Sequence, residues 1–260
     1  MAAIAFVNAL TQADRRANER RAPAPEVIAA IRTAPQPLTW CERLEAPRRT
    51  KLFFDYEEYH AAPRDAQYLA NSRLLMELEV REVLTLMGAP TPRIVFATRH
   101  GWDPKKGKHK ASFRAFVTNY AVPDYTQIRT AVKALKRDGV LRDADGLDDG
   151  VYKAGEQLLG CVLCCKGANG DARVLTPEDP DEPLESFFVQ HLSGEEVVLE
   201  WREPERVERV DASRNTNANP HEVTAVLAMI PCRGYTDWVA RAMNVKAALG
   251  DADSFRIWHA

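Results

Sequence analysis

Lys51-Leu52-Phe53-Phe54-Asp55-Tyr56-Glu57 is an aromatic and aliphatic run closed by two acids, and its reading decides the fold. Such a run is a strand signal, and side chains two apart on a strand share a face. Asp55 and Glu57 therefore project together, while Leu52, Phe54 and Tyr56 face the other way and Glu58 lies across from the pair. Adjacent carboxylates repel unless a cation sits between them, and Mg²⁺ or Mn²⁺ with oxygen ligands is a common solution. A solvated strand end is the other reading of the same tripeptide.

Downstream, the pattern predicts a helix over residues 68–87, with Leu74, Leu75, Leu78 and Met87 on an apolar stripe and Gly88 as its stop. Strands follow at 93–98 and 111–119, joined by a glycine-containing basic loop that suits a hairpin, then a helix over 125–137. Short strands are expected at 158–165, 173–175 and 196–201. Between them, Leu184, Phe187, Phe188 and His191 are spaced as one face of a helix over 183–192.

Upstream, residues 1–20 read as a helix that turns highly charged and is broken at Arg21-Ala22-Pro23-Ala24-Pro25. The polar stretch 211–219 reads as a linker. Asn219-Pro220 and Thr236 then suit the starts of two helices. The expected division is a helical extension over 1–40, a mixed α/β core over 41–210 and a short helical appendage over 220–260.

With 260 residues, 45% of them hydrophobic, the chain is long enough to bury a substantial core. Neither a run of eighteen apolar residues nor a signal peptide is found, so an intracellular protein without a membrane partner is expected. The formal net charge of -2 means that any nucleic-acid contact must come from a local patch. The loop from Arg99 to Lys110 offers one: Arg99, Lys105, Lys106, Lys108 and Lys110 with Trp102 interleaved, suited to phosphates and base stacking, or simply a solvated hairpin tip.

Two further constellations matter. On the strand 110–117, Lys110, Ser112 and Arg114 share one face and Ala111, Phe113, Ala115 and Val117 the other. This is a plausible triphosphate cradle or an amphipathic edge strand. In Leu147-Asp148-Asp149-Gly150-Val151-Tyr152, Asp148 could complete a metal site with Asp55 and Glu57, and Lys166 beyond it could reach a phosphate; an acidic turn is the alternative. Cys161, Cys164 and Cys165 lie in an apolar run and read as small hydrophobes, because a zinc knuckle needs four spaced ligands.

In this order, Phe54-Asp55-Tyr56-Glu57, Lys110-Ala111-Ser112-Phe113-Arg114 and Asp148-Asp149-Gly150-Val151-Tyr152 with Lys166 resemble the archaeo-eukaryotic primase superfamily. The likeness is to the primase-polymerases of large DNA viruses and plasmid primase-helicases, and it covers roughly residues 50–200. It implies a catalytic sheet like that of an RNA-recognition motif. In that sheet Asp55, Glu57 and Asp148 hold two Mg²⁺ or Mn²⁺ ions, and Lys110, Ser112, Arg114 and Lys166 bind the incoming nucleoside triphosphate.

The implied activity is primer synthesis or extension on a single-stranded DNA template, in DNA replication of a viral or mobile-element type. Two departures stand out: Arg114 replaces the family's histidine, and Glu156 and Leu159 replace its arginines. Residues 234–258 resemble the start of the helical domain that follows the core in primase-helicases. A longer parent with a helicase domain, or a separate replicative helicase as partner, is therefore expected. The competing readings are a non-catalytic DNA- or nucleotide-binding relative that positions a helicase or polymerase, and a nuclease using the same acids.

Overall fold

A computed structural model describes residues 4–8, 19–34, 38–141, 146–155, 157–166 and 170–201. The 51–57 stretch forms the middle of β4 (Thr50–His60), which pairs antiparallel with β7 (Lys108–Val122), setting Asp55 opposite Arg114 and Glu57 opposite Ser112. β5 (Ile94–Thr98) pairs with the other edge of β7, and β6 (Gly101–Asp103) extends the hairpin between them. β8 (Gly146–Leu147) pairs antiparallel with β4.

Helix α2 (Ala66–Leu86) connects β4 to β5, and α3 (Thr126–Arg137) connects β7 to β8. The chain thus runs β-α-β-β-α-β with spatial order β5-β7-β4-β8, all neighbours antiparallel. β10 (Thr176–Pro177) adds to the β5 edge, and β11 (Val197–Val198) runs parallel to the end of β7.

One face of this sheet is apolar. Phe54, Tyr56, Phe113 and Ala115 are fully or almost fully buried, and Tyr56 meets Phe113 edge to face. The two phenylalanines each contribute on the order of 1.5–3 kcal/mol by burial. The side chain of Glu58 lies on this face and accepts hydrogen bonds from the hydroxyls of Tyr56, Tyr68 and Ser72, tying β4 to α2.

Asp65 caps α2 by accepting from the Tyr68 amide at 2.8 Å, and the helix stops before Gly88, whose φ of 82° only glycine adopts freely. Its buried stripe is Ser72, Met76, Val80, Val83 and Leu84, with Met87 just beyond. Leu74, Leu75 and Leu78, expected inside, are exposed: the sheet selects the helical phase of the methionine and valines, and the leucines fall outside it.

A second sheet has the order β2-β1-β3-β9: β1 (Ile4–Asn8), β2 (Glu19–Ala22), β3 (Trp40–Leu44) and β9 (Gln157–Gly160), paired antiparallel throughout. The expected helix over 1–20 is therefore corrected to strands at both described places, Ile4–Asn8 and Glu19–Ala22. The N-terminal helix is instead α1 (Ala24–Thr33), which buries Ala24, Val27, Ile28 and Ile31. Pro25 sits in its first turn, where the missing N–H costs nothing, so the prolines read as a break mark a beginning.

The expected helix over 183–192 contracts to a single 3-10 turn, Leu184–Phe187, although Leu184, Phe187 and Phe188 are buried as expected. The expected strand over 158–165 ends at Gly160, before the left-handed Leu163 (φ 61°), and resumes only as a bridge from Cys165 to Val174. The linker and appendage expected over 211–260 lie outside the described residues, as does Glu156. No helix among the described residues is long and apolar enough to cross a membrane.

Candidate metal and phosphate site

The polar face of β4 and β7 borders a cavity of about 340 Å³ whose other walls come from β3 and β9. Asp55 and Glu57 reach it by strand alternation. Asp148 reaches it because the turn after β8 is pinned to β4: its amide donates to the Asp55 carbonyl at 2.8 Å, and the buried Tyr152 hydroxyl donates to the Phe53 carbonyl at 2.7 Å. The Asp-x-x-Val-Tyr spacing is therefore a clamp with two teeth on one strand.

Asp148 also accepts the Gly150 amide at 2.7 Å. A Cβ at Gly150 would stand 2.8 Å from the Asp148 carboxylate, so the turn needs glycine there. One carboxylate oxygen from each of Asp55, Glu57 and Asp148 can be chosen so that all lie within 4.8 Å of one another. Three hard oxygen donors at this spacing fit Mg²⁺ or Mn²⁺ and fit soft-ligand metals poorly.

Each acid is balanced differently. Arg114 Nε donates to Asp55 at 3.0 Å and its Nη1 to the Gly160 carbonyl at 2.8 Å, with both charged side chains almost wholly buried. Burial works against ionisation of Asp55, but the charges of Arg114, Lys110 and Arg99 outweigh it and hold its pKa at about 2. Lys110, itself buried, pairs with Glu57, which also accepts the Tyr59 hydroxyl at 2.9 Å. Among the described residues no cation pairs with Asp148, and burial together with the charges of Asp55 and Glu57 raises its pKa.

The expected phosphate ligands separate. Arg114 and Lys166 line the cavity. Lys110 and Ser112 are not among its lining residues; Ser112 is buried, with its amide donating to His100 Nδ1 and its carbonyl accepting from the Arg99 amide. Arg99, expected in the DNA-contacting loop, is corrected: it is 3% exposed and lines the cavity. The hairpin register carried the signal, since Ala97 pairs with Arg114 and the residue two further on shares that face.

The rest of the basic loop is exposed as a tip. Trp102 is half exposed and stacks edge-on against His109, and Lys105, Lys106 and Lys108 reach solvent. Asp103, which in the sequence only opposes these charges, accepts the Lys105 and Lys106 amides and pairs with Arg173, so it shapes the turn. The Gly160 carbonyl and Tyr59 are also part of the site, and no local sequence pattern marks either.

The three cysteines pack as small apolar groups: Cys161, Cys164 and Cys165 are buried, and burial pushes the Cys164 thiol up to about 12. Compared with known proteins, the chain matches no family model and no curated protein.

Proposed function

We propose that this protein is a template-directed nucleotidyl transferase of the primase-polymerase type, which makes or extends primers on single-stranded DNA from nucleoside triphosphates. The observation that carries the reading is one cavity in which Asp55, Glu57 and Asp148 converge beside Arg99, Arg114 and Lys166. The sheet order supports it: β5-β7-β4-β8 with two crossover helices is the split β-α-β arrangement of ferredoxin-like and RNA-recognition-motif folds, to which the catalytic sheet of this superfamily is expected to belong.

Asp55, Glu57 and Asp148 would hold the two divalent ions, which when bound would supply Lewis-acid activation of a 3′ hydroxyl and charge neutralisation at a pyrophosphate leaving group. The cavity's cations orient the triphosphate. Trp102 and the lysines of the hairpin tip contact the template or primer, with stacking and backbone attraction that do not depend on base identity.

The test incubates the full chain with single-stranded DNA, labelled nucleoside triphosphates and Mn²⁺ or Mg²⁺, beside Asp148→Asn. The variant keeps an acceptor for the Gly150 amide and removes the charge. Labelled oligomers made by the wild type and lost in the variant are expected; undiminished synthesis by Asp148→Asn rules the reading out.

A non-catalytic nucleotide- or DNA-binding role is the second reading. It is favoured by the ion pairs of Arg114 with Asp55 and Lys110 with Glu57, which occupy two of the three acids with the protein's own cations. Triphosphate and DNA binding without any incorporation is its signature.

A further inference from the structure

Arg99 is the one buried cation of the cavity that the sequence pattern places elsewhere, in the DNA-contacting loop. It is 3% exposed and lines the cavity, and among the described residues its Nε is sealed from solvent without an acceptor. The acids whose charge it feels are engaged elsewhere: Asp55 accepts from Arg114, and Asp171 accepts from Arg173 Nε and Nη2 at 2.8 and 2.7 Å. Its guanidinium stands at Gly160, with Nη1 3.8 Å from where a Cβ on that glycine would be. The Gly160 carbonyl on the same residue already accepts from Arg114, so two guanidinium groups converge on one stretch of β9.

Guanidinium groups brought together out of water, one of them short of an acceptor, are costly unless an anion joins them. Lys166, which lines the same cavity from an exposed position, adds a third positive charge, and desolvation followed by the charges of Lys110 and Arg99 lowers its pKa from the usual lysine range. Arg114 and Lys110 are held by carboxylates, whereas among the described residues neither Arg99 nor Lys166 pairs with one.

We infer that Arg99 and Lys166 form the anion clasp of the site and grip the polyphosphate tail of the bound nucleotide, so that Arg99 belongs to nucleotide recognition and not to the DNA-contacting loop. The inference rests on the proposed nucleotidyl transfer for the identity of the nucleotide and on the geometry for the clasp. A guanidinium presents a planar fork whose donors match phosphate oxygens two at a time. No covalent step is added: the clasp binds and orients.

The experiment is calorimetric titration of the full chain with inorganic tripolyphosphate in the presence of Mg²⁺, with a parallel titration by a single-stranded DNA oligonucleotide. Arg99→Gln and, separately, Lys166→Met should weaken tripolyphosphate binding by about 10- to 100-fold, as loss of a charge-assisted hydrogen bond does, and leave DNA affinity unchanged. Should Arg99→Gln fail to fold, Lys166→Met, at an exposed position, and Arg99→Lys, which keeps the charge but not the fork, carry the test.

Unchanged tripolyphosphate affinity in the folded variants, a loss seen on DNA instead, or no tripolyphosphate binding by the wild type overturns the clasp. Primer synthesis decides the other reading separately. Arg99-dependent tripolyphosphate binding with no synthesis keeps the clasp and removes the polymerase; synthesis with an Arg99-independent KM for nucleotide does the reverse.

Discussion

The basic run from Arg99 to Arg114 is divided between two environments, and the contrast shows how one hairpin holds its charge in two different ways. At its ends, Arg99, Lys110 and Arg114 are almost wholly buried, and Lys110 and Arg114 are matched one to one with carboxylates. At its tip, Lys105, Lys106 and Lys108 stand in solvent around the exposed Trp102. A buried charge is fixed in position and expensive to leave unmatched, whereas a solvated one is mobile and screened by salt. The first kind suits a small ligand held in one pose, and the second suits a polymer backbone met in many registers.

The largest effect that could break this contrast is at the buried end. Asp55→Ala leaves Arg114 buried without its partner, and the unfolding free energy in denaturant titrations should fall by about 3–5 kcal/mol. The double variant Asp55→Ala/Arg114→Met should regain most of that loss. A fall of less than about 1 kcal/mol in the single variant, the ordinary value of a surface pair, would place these groups in water and erase the distinction.

A second buried acid tests the same idea through pH. Glu42 on β3 accepts the amides of Val189 and Gln190 at 2.9 and 3.0 Å; burial raises its pKa to about 7, against the lowering by those bonds and by Lys51. A folded-state pKa above the unfolded value of 4.5 means that the proton favours the fold. This stability is complete below pH 4.5 and is lost as pH rises through 7. The loss is on the order of 3 kcal/mol, measured by chemical denaturation between pH 4.5 and about 8, and Glu42→Gln should flatten the curve over that range.

The smallest effect on the fold belongs to the tip. Replacing Lys105, Lys106 and Lys108 together by glutamine should change the unfolding free energy by less than about 0.5 kcal/mol. The same change should reduce the slope of log affinity for single-stranded DNA against log salt by about 2, since each phosphate that a lysine ceases to neutralise accounts for roughly 0.7. A fold that weakens while the salt slope stays constant would reverse the roles of the two ends.

Much of the central sheet was legible because local rules decide it. Alternation in 51–57 and 110–117 assigns each side chain a face. Gly88 ends α2 as its place after the periodic residues predicts. The places where the sequence misled have physical causes. Prolines tolerated in a first helical turn looked like a break, and the helix phase of α2 was taken from its leucines although its buried positions follow Met76, Val80 and Val83. A strand through 158–165 was expected from apolar content that is satisfied just as well by an irregular, buried segment.

By itself, then, the sequence determined the acids, their shared face, the apolar reverse of the same strands and the hairpin of β5 with β7, since each follows from spacing along one strand or turn. Only the tertiary structure decided which cation meets which carboxylate, that Arg99 turns into the cavity while its neighbours reach solvent, and that β9 supplies a carbonyl to Arg114. Those outcomes depend on strand register and on a second sheet brought from the two ends of the core, and no local pattern encodes a partner tens of residues away.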